Sequence, residues 1–329
     1  MKAVAHNARD IAALVDIELP KPTPGPRDLL VKVEAVSVNP VDTKQRKTDT
    51  PSPRVLGWDA AGTVAAVGAQ VTLFKPGEAV YYAGDVTRPG CNSEFHLVDE
   101  RIVGRKPTSL DFAQAAAVPL TAITAWEAFF DRMKIARDRG ASVLIINGAG
   151  GVGSIGIQLA KLGGLKVIAT ASRPETVAWV KELGADHVVD HRKPLRPQVE
   201  ALGLKQVDYI ANFSGELDNH WAAMADLVAP QGAVVAIVGN REPLAMDMVR
   251  SKSATVCWEL MFTRPRFQTP DMIEQHKLLN QVAAWLDSGK LRSTLREALS
   301  PINAANLRKA HEKLESGRMI GKLVLHGWA

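Results

Sequence analysis

Cysteine is nearly absent: Cys91 and Cys257 are the two in 329 residues, and they lie far apart in the chain. Two such residues build neither a disulfide framework nor a CxxC metal site, so a reducing compartment is expected. No apolar run reaches the ~18 residues that a membrane-spanning helix requires, and Met1 to Asn7 lacks the uninterrupted apolar core of a secretory leader. Cytoplasmic residence without a membrane partner is therefore the default expectation. Long basic runs are missing too. The 40 basic residues exceed the 35 acidic ones by a formal +5, and the richest stretches, Arg132 to Arg139 and Arg264 to Arg266, mix charge with apolar or acidic residues. That pattern suits solvated faces or local contacts with small anions better than it suits nucleic acid.

What is present reads as an ordinary globular chain, 46% apolar and 23% charged, long enough for two lobes with a cleft between them. From Met1 to about Val118 the chain is punctuated by turns such as Pro24-Gly25-Pro26, Pro51-Ser52-Pro53, Pro76-Gly77 and Pro89-Gly90. Between them Leu29, Val31, Val33 and Ala35 alternate with Leu30, Lys32 and Glu34 as in a half-buried strand, and Gly62 to Gly68 resembles another, so this lobe reads as mostly β. The character changes near Pro119, where Thr121 to Met133 has helical spacing. Apolar strands at 142–147, 166–170, 207–211 and 233–238 then alternate with helices ending near Leu162, Leu183 and Leu227. Such alternation demands an α/β architecture with a parallel, helix-covered sheet. After about Phe262 helices are expected at 271–286 and 303–314, followed by a closing strand at 322–325.

Asn147-Gly148-Ala149-Gly150-Gly151-Val152-Gly153 carries the spacing G-x-G-x-x-G between a strand and a helix, the context that turns a weak pattern into a dinucleotide-binding signal. Gly148 can make the tight turn, Gly150 admits a pyrophosphate to the backbone, and Gly153 lets helix and strand pack closely. Gly151 and Val152 open the helix, whose N-terminal N–H groups attract phosphate. An acidic residue ~20 positions further on would bind the ribose hydroxyls of NAD. Thr170-Ala171-Ser172-Arg173 stands there instead. Without the carboxylate, and with a hydroxyl and a guanidinium on offer, a 2′-phosphate is favoured and NADP(H) is the expected cofactor. Arg173 could equally be a solvated residue at a helix start.

Several separate pieces in order, Ala35 to Asp42, Leu56 to Gly62, Pro119 to Trp126, the glycine loop and Gly321 to Leu325, resemble the zinc-free branch of the medium-chain dehydrogenase/reductase superfamily near quinone oxidoreductase. More narrowly, Tyr81 to Gly84, Arg88 to Gly90 and Glu94 to Arg101 resemble the bacterial proteins labelled zinc-type alcohol dehydrogenase-like. The resemblance implies a GroES-like, mostly-β catalytic domain formed by residues 1–118 and 263–329, a Rossmann doubly wound domain over 119–262, and a homodimer, with edge pairing near Ala254 to Leu260 as its route. Zinc-dependent relatives hold their metal with a Cys near the place of Asn39, a His-Glu pair near Trp58-Asp59 and a further Cys near Leu120. Here Asp59 alone has a ligand's chemistry, and Cys91 is the only cysteine in the part where a structural zinc lobe uses four. No zinc is expected.

Without a Lewis acid, reduction must rely on placing a nicotinamide hydride near an electron-poor carbon, which suits quinones and α,β-unsaturated carbonyl compounds because conjugation spreads the developing charge. By the resemblance, Asn39 and Thr124 lie beside the nicotinamide, Phe213, Val238 and Gly239 line it and its ribose, and Lys322 belongs to the cofactor cleft. Asn39 is the first choice for a polar catalytic group, although Asn-Pro also initiates turns. Tyr82, or Tyr81, could offer a phenol to the substrate, against the plainer role of cross-strand packing. Asp42 reads as a strand-end or turn residue. His96, His187 and His191 have no partner visible in the sequence and suit surface or structural roles, with His191 kept among the candidate cofactor contacts. The competing readings are a zinc-dependent alcohol dehydrogenase, and an NADPH-binding redox sensor or RNA-binding protein without turnover.

Overall fold

The computed structural model describes residues 1–6, 10–48, 53–136 and 140–328. The chain divides into two compact units, Met1–Ile123 with Phe262–Ala329, and Thr124–Met261. No helix among the described residues is long and apolar enough to cross a membrane.

The first unit is built on a mostly antiparallel sheet in the order Leu295–Leu299, Lys322–His326, Asp28–Ser37, Ala60–Val67, Ala79–Tyr82, Val103–Arg105, with Phe95–Asp99 also paired to Asp28–Ser37. Asp28–Ser37 is the organising strand. The expected alternation is broken in it: Leu29, Leu30 and Val31 are all buried, and Lys32 is its one exposed residue. The reason is its three partners and the shifts of register at Leu30/Val31 and Val33/Ala35, which re-aim side chains along the strand. The strand Lys322–His326 pairs antiparallel to it with Val324 opposite Ser37, which carries Lys322 toward Val38 and Asn39. Ile273–Asp287 and Ala304–Glu315 are the long helices of the returning tail.

The second unit is a parallel sheet of β1 (Ser142–Ile146), β2 (Lys166–Thr170), β3 (His187–Val189), β4 (Val207–Asn212), β5 (Val228–Ala236) and β6 (Thr255–Trp258). Its order is β3-β2-β1-β4-β5-β6, the doubly wound arrangement of dinucleotide-binding domains. Every residue of β1 is buried, as a strand covered on both faces requires. Helix α1 (Gly151–Leu162) follows it directly. The short β3 had no separate signal in the sequence, and β5 ends at Ala236, short of Val238.

The helix expected over 121–133 is regular from Pro119 to Trp126 and continues as a wider π-helical turn, Glu127–Arg132. Arg132 then meets Glu259 at 2.8 Å and Glu127 at 3.5 Å, and Arg264 binds Asp271 at 3.0 Å. Both arginines are thus tied to carboxylates rather than spread over a solvated face, because each neighbouring acid is near in space though distant or unremarked in sequence. Residues 137–139 of the same stretch lie outside the described residues.

Leu144 lies at the centre of β1 with no exposed surface, packed with Ile168, Ile210 and Val234. Leu144→Ala should destabilise the protein by about 2–5 kcal/mol, read as a lower urea midpoint with an unchanged slope.

Candidate functional site

In the second unit, Asn147 takes the left-handed conformation at φ 64°, which an asparagine tolerates. The tight turn after β1 is thus made by Asn147 rather than by Gly148. Its backbone N–H donates to Thr170 Oγ1 at 2.9 Å and its side-chain amide to the Phe213 carbonyl at 3.1 Å, tying the loop to β2 and to the end of β4. Gly153 does what its place in the motif demands: a Cβ there would come within 2.2 Å of the Asn147 carbonyl oxygen. With Gly150 as N-cap, the N–H groups of Gly151, Val152 and Gly153 open the helix without intrahelical acceptors, a ready cradle for phosphate.

Beyond β2, Ser172 and Arg173 precede the helix Pro174–Glu182, and Arg173 Nε bonds Glu175 at 2.9 Å. After β3 comes Asp190-His191-Arg192. Arg192 grips the Asp190 carboxylate through Nε (3.0 Å) and Nη2 (2.8 Å) and reaches across to the Ser172 carbonyl at 2.6 Å. Burial lowers the pKa of His191, and burial, helped by the nearby charge of His191, lowers that of His220. Phe213 is buried against Phe129, 5.7 Å between ring centres, so it offers mainly its carbonyl to the loop. Thr124 is buried, and Val238 and Gly239 follow β5.

The first unit holds a buried polar cluster. Asn39 caps the helix Pro40–Arg46, an element without an antecedent in the sequence reading, and Asp42 accepts the Asn39 backbone N–H at 2.8 Å. The Asn39 amide donates toward the carbonyls of Ser37 and Trp58 and to Asp59 Oδ2 at 3.0 Å, while its oxygen accepts from Lys322 Nζ at 2.5 Å. Lys322 Nζ also donates to the Val38 carbonyl at 2.9 Å and meets Asp59 Oδ2 at 3.1 Å. Asp59 Oδ1 accepts the Leu120 N–H. Burial raises the Asp42 carboxyl to about 7, and it raises that of Asp59 against the pull of Lys322.

Tyr82 has no exposed surface and donates its phenol to His96 Nδ1 at 3.0 Å, the two rings stacked. His96 Nε2 must then donate to the Pro89 carbonyl, and burial holds the ring neutral with a pKa of about 4. Tyr81 donates to the Leu279 carbonyl. Both phenols are thus spent inside the unit, and Asp42 is a helix-capping residue rather than a strand end. His96 has the partner that its sequence neighbours could not reveal.

Residues 25–121 match the alcohol dehydrogenase GroES-like domain, and residues 183–325 match a zinc-binding dehydrogenase domain. A zinc-type alcohol dehydrogenase-like protein of Staphylococcus aureus is 46% identical over 93% of this chain and 92% of its own. The chain belongs to the medium-chain dehydrogenase/reductase superfamily. A solved Rhizobium etli structure with a provisional zinc-dependent alcohol dehydrogenase name is 55% identical, covering 100% of this chain and 98% of that one with a TM-score of 0.96. An NADPH-dependent alkenal/one oxidoreductase of Arabidopsis thaliana is 32% identical over 91% of this chain and 72% of its own. The GroES-like portion and the doubly wound sheet are those expected of this oxidoreductase superfamily.

Zinc does not fit the residues at hand. A catalytic zinc takes three protein ligands and leaves one position open. In this dehydrogenase/reductase the Asn39 amide is already committed, Trp58 donates its indole N–H to the Asp85 carbonyl, and Asp59 faces an ammonium 3.1 Å away. Burial pushes the Cys91 thiol well up, which disfavours the thiolate that a metal requires. Among the described residues, no group of three His, Cys, Asp or Glu is arranged to hold a metal ion.

The raised Asp42 carboxyl has a signed consequence for stability. Its contribution is fully present below the unfolded value of 3.8 and is lost as pH rises through about 7. Asp42→Asn keeps an acceptor for the Asn39 N–H and removes the ionisation. The variant should match wild type near pH 4 and exceed it by up to about 4 kcal/mol at pH 8 in urea titrations; equal pH profiles would contradict the assignment.

Proposed function

We propose that this oxidoreductase uses NADPH, without zinc, to reduce a small conjugated acceptor, a quinone or an α,β-unsaturated carbonyl compound. The observation that carries the reading is the end of β2, where Ser172 and Arg173 stand beside the glycine loop in place of a carboxylate. A carboxylate there would repel a 2′-phosphate and favour the free ribose hydroxyls. The name of the Arabidopsis relative, which pairs NADPH with alkenals and enones, supports both the cofactor and the acceptor class.

NADPH supplies the hydride when bound. In this reading the N–H groups of Gly151, Val152 and Gly153 hold the pyrophosphate, Gly148 and Gly150 let the backbone approach it, and Ser172 and Arg173 face the 2′-phosphate. Thr124, His191, Phe213, Val238 and Gly239 are the further cofactor contacts on the same unit. Asn39, Tyr82 and Lys322 belong to the other unit, where each is buried and bonded within its own scaffold. A conjugated acceptor needs less help than a simple ketone, because its own π-system carries the developing charge.

The test is oxidation of NADPH and of NADH against quinones, enals and simple ketones, with protein whose zinc content is measured beforehand. Zinc-free protein should turn over quinones or enals with NADPH preferred. Zinc-dependent turnover of alcohols or ketones would replace this reading with the alcohol dehydrogenase one. Tight NADPH binding with no turnover on the panel would favour a sensor.

The same reading includes a homodimer joined along β6, the edge strand of its sheet, where Trp258 at its end and Leu260 just beyond it are 45% and 47% exposed. Light scattering should give twice the 35.5 kDa chain mass; a monomer mass at every concentration would exclude the dimer.

A further inference from the structure

The end of β3 offers a better anion contact than the residues at the end of β2. Arg192 has a side chain 61% exposed, yet it is held in one place. Its Nε and Nη2 grip Asp190, its Nη2 also donates to the Ser172 carbonyl, and its backbone N–H donates to Asp190 Oδ1 at 2.9 Å. Asp190 is itself anchored, with its backbone N–H and carbonyl both bonded to the Gln198 amide. An exposed arginine ordinarily loses rotamer entropy when it is fixed, and here the loss is met by local hydrogen bonds before any ligand arrives.

Three consequences follow for charge at this edge of the sheet. Both Asp190 oxygens already accept from Arg192, which competes with ribose hydroxyls for the acid. Arg192 holds the Asp190 carboxyl down at about 2, so that charge is always present and must be cancelled before a second anion can approach. Arg192 does this with one side of its guanidinium, while its Nη1 makes no bond to the described residues. Arg173, by contrast, is engaged by Glu175 on its own helix.

We infer that Arg192, positioned by Asp190 across the Ser172 carbonyl, is the residue that selects a 2′-phosphorylated adenine nucleotide over the unphosphorylated one. The inference rests on the NADPH reading and gives its phosphate a specific partner. Arg192 adds a planar donor fork suited to a phosphomonoester. Asp190 is the positioning residue, acting through Arg192.

The experiment measures binding of adenosine 2′,5′-bisphosphate and of AMP by calorimetry to the full chain and to Arg192→Ala, Arg192→Lys and Arg173→Ala. Wild type should prefer the bisphosphate. Arg192→Ala should weaken bisphosphate binding by about tenfold or more while leaving AMP unchanged, a loss larger than that in Arg173→Ala and partly restored by Arg192→Lys. Unchanged bisphosphate binding in Arg192→Ala, equal losses for both nucleotides, or a larger loss in Arg173→Ala would each overturn the assignment while the NADPH reading stood. Wild type that binds both nucleotides equally would bring down the NADPH reading and this inference with it. AMP binding reports that each variant is folded.

Discussion

The ammonium of Lys322, buried against Asp59 and Asn39, sets the polar interior of the first unit. A buried cation must be surrounded by acceptors, and this one has a carboxylate, an amide oxygen and the Val38 carbonyl. By taking the Asn39 oxygen it orients the amide, so that the amide hydrogens face Ser37, Trp58 and Asp59. The start of the helix Pro40–Arg46 is fixed in turn, with Asp42 closing on the Asn39 N–H. The cluster is neutral when Asp42 keeps its proton, which is the state that burial favours. The same ammonium also answers a chemical question: where a metal would have balanced the acid, a side chain of the protein does so.

The second unit follows a different logic, in which backbone geometry takes the place of side-chain charge. Asn147 turns the chain, Gly153 lets α1 start against that turn, and the first N–H groups of the helix are left pointing outward. The cofactor preference we propose for the unit rests on the neighbouring strand ends, where Arg192 bonds the Ser172 carbonyl and so joins the residues after β2 and β3.

The glycine loop, the strand–helix alternation and the absence of an acid after β2 were legible in the sequence because each is local: a period, a spacing or a residue type at a fixed distance. Lys322 is the contrary case. Its role depends on antiparallel pairing of Lys322–His326 with Asp28–Ser37, and nothing in either segment alone names the other. The Tyr82 and His96 pair is hidden for the same reason, since the rings meet although Ala79–Tyr82 and Phe95–Asp99 do not pair with each other. Arg192 was missed for a smaller reason. An Asp-x-Arg sequence is common and reads as a local ion pair, and only the Ser172 carbonyl, beyond the end of β2, gives it a direction. The capping role of Asp42 was available in principle, as Asn-Pro-x-Asp is a helix start as well as a turn.

The division of the chain has a consequence for its synthesis. Residues 124–261 are contiguous, so the doubly wound unit can begin to fold as soon as it leaves the ribosome. The first unit cannot close then. Its organising strand waits with Ala35, Val36 and Ser37 unpaired along one edge until Lys322–His326 emerges, and the cation that pairs with Asp59 arrives in that same segment. During that interval the nascent β-lobe holds a carboxylate without its counter-charge and a hydrophobic strand edge without its partner, the condition in which a chain is most dependent on chaperones.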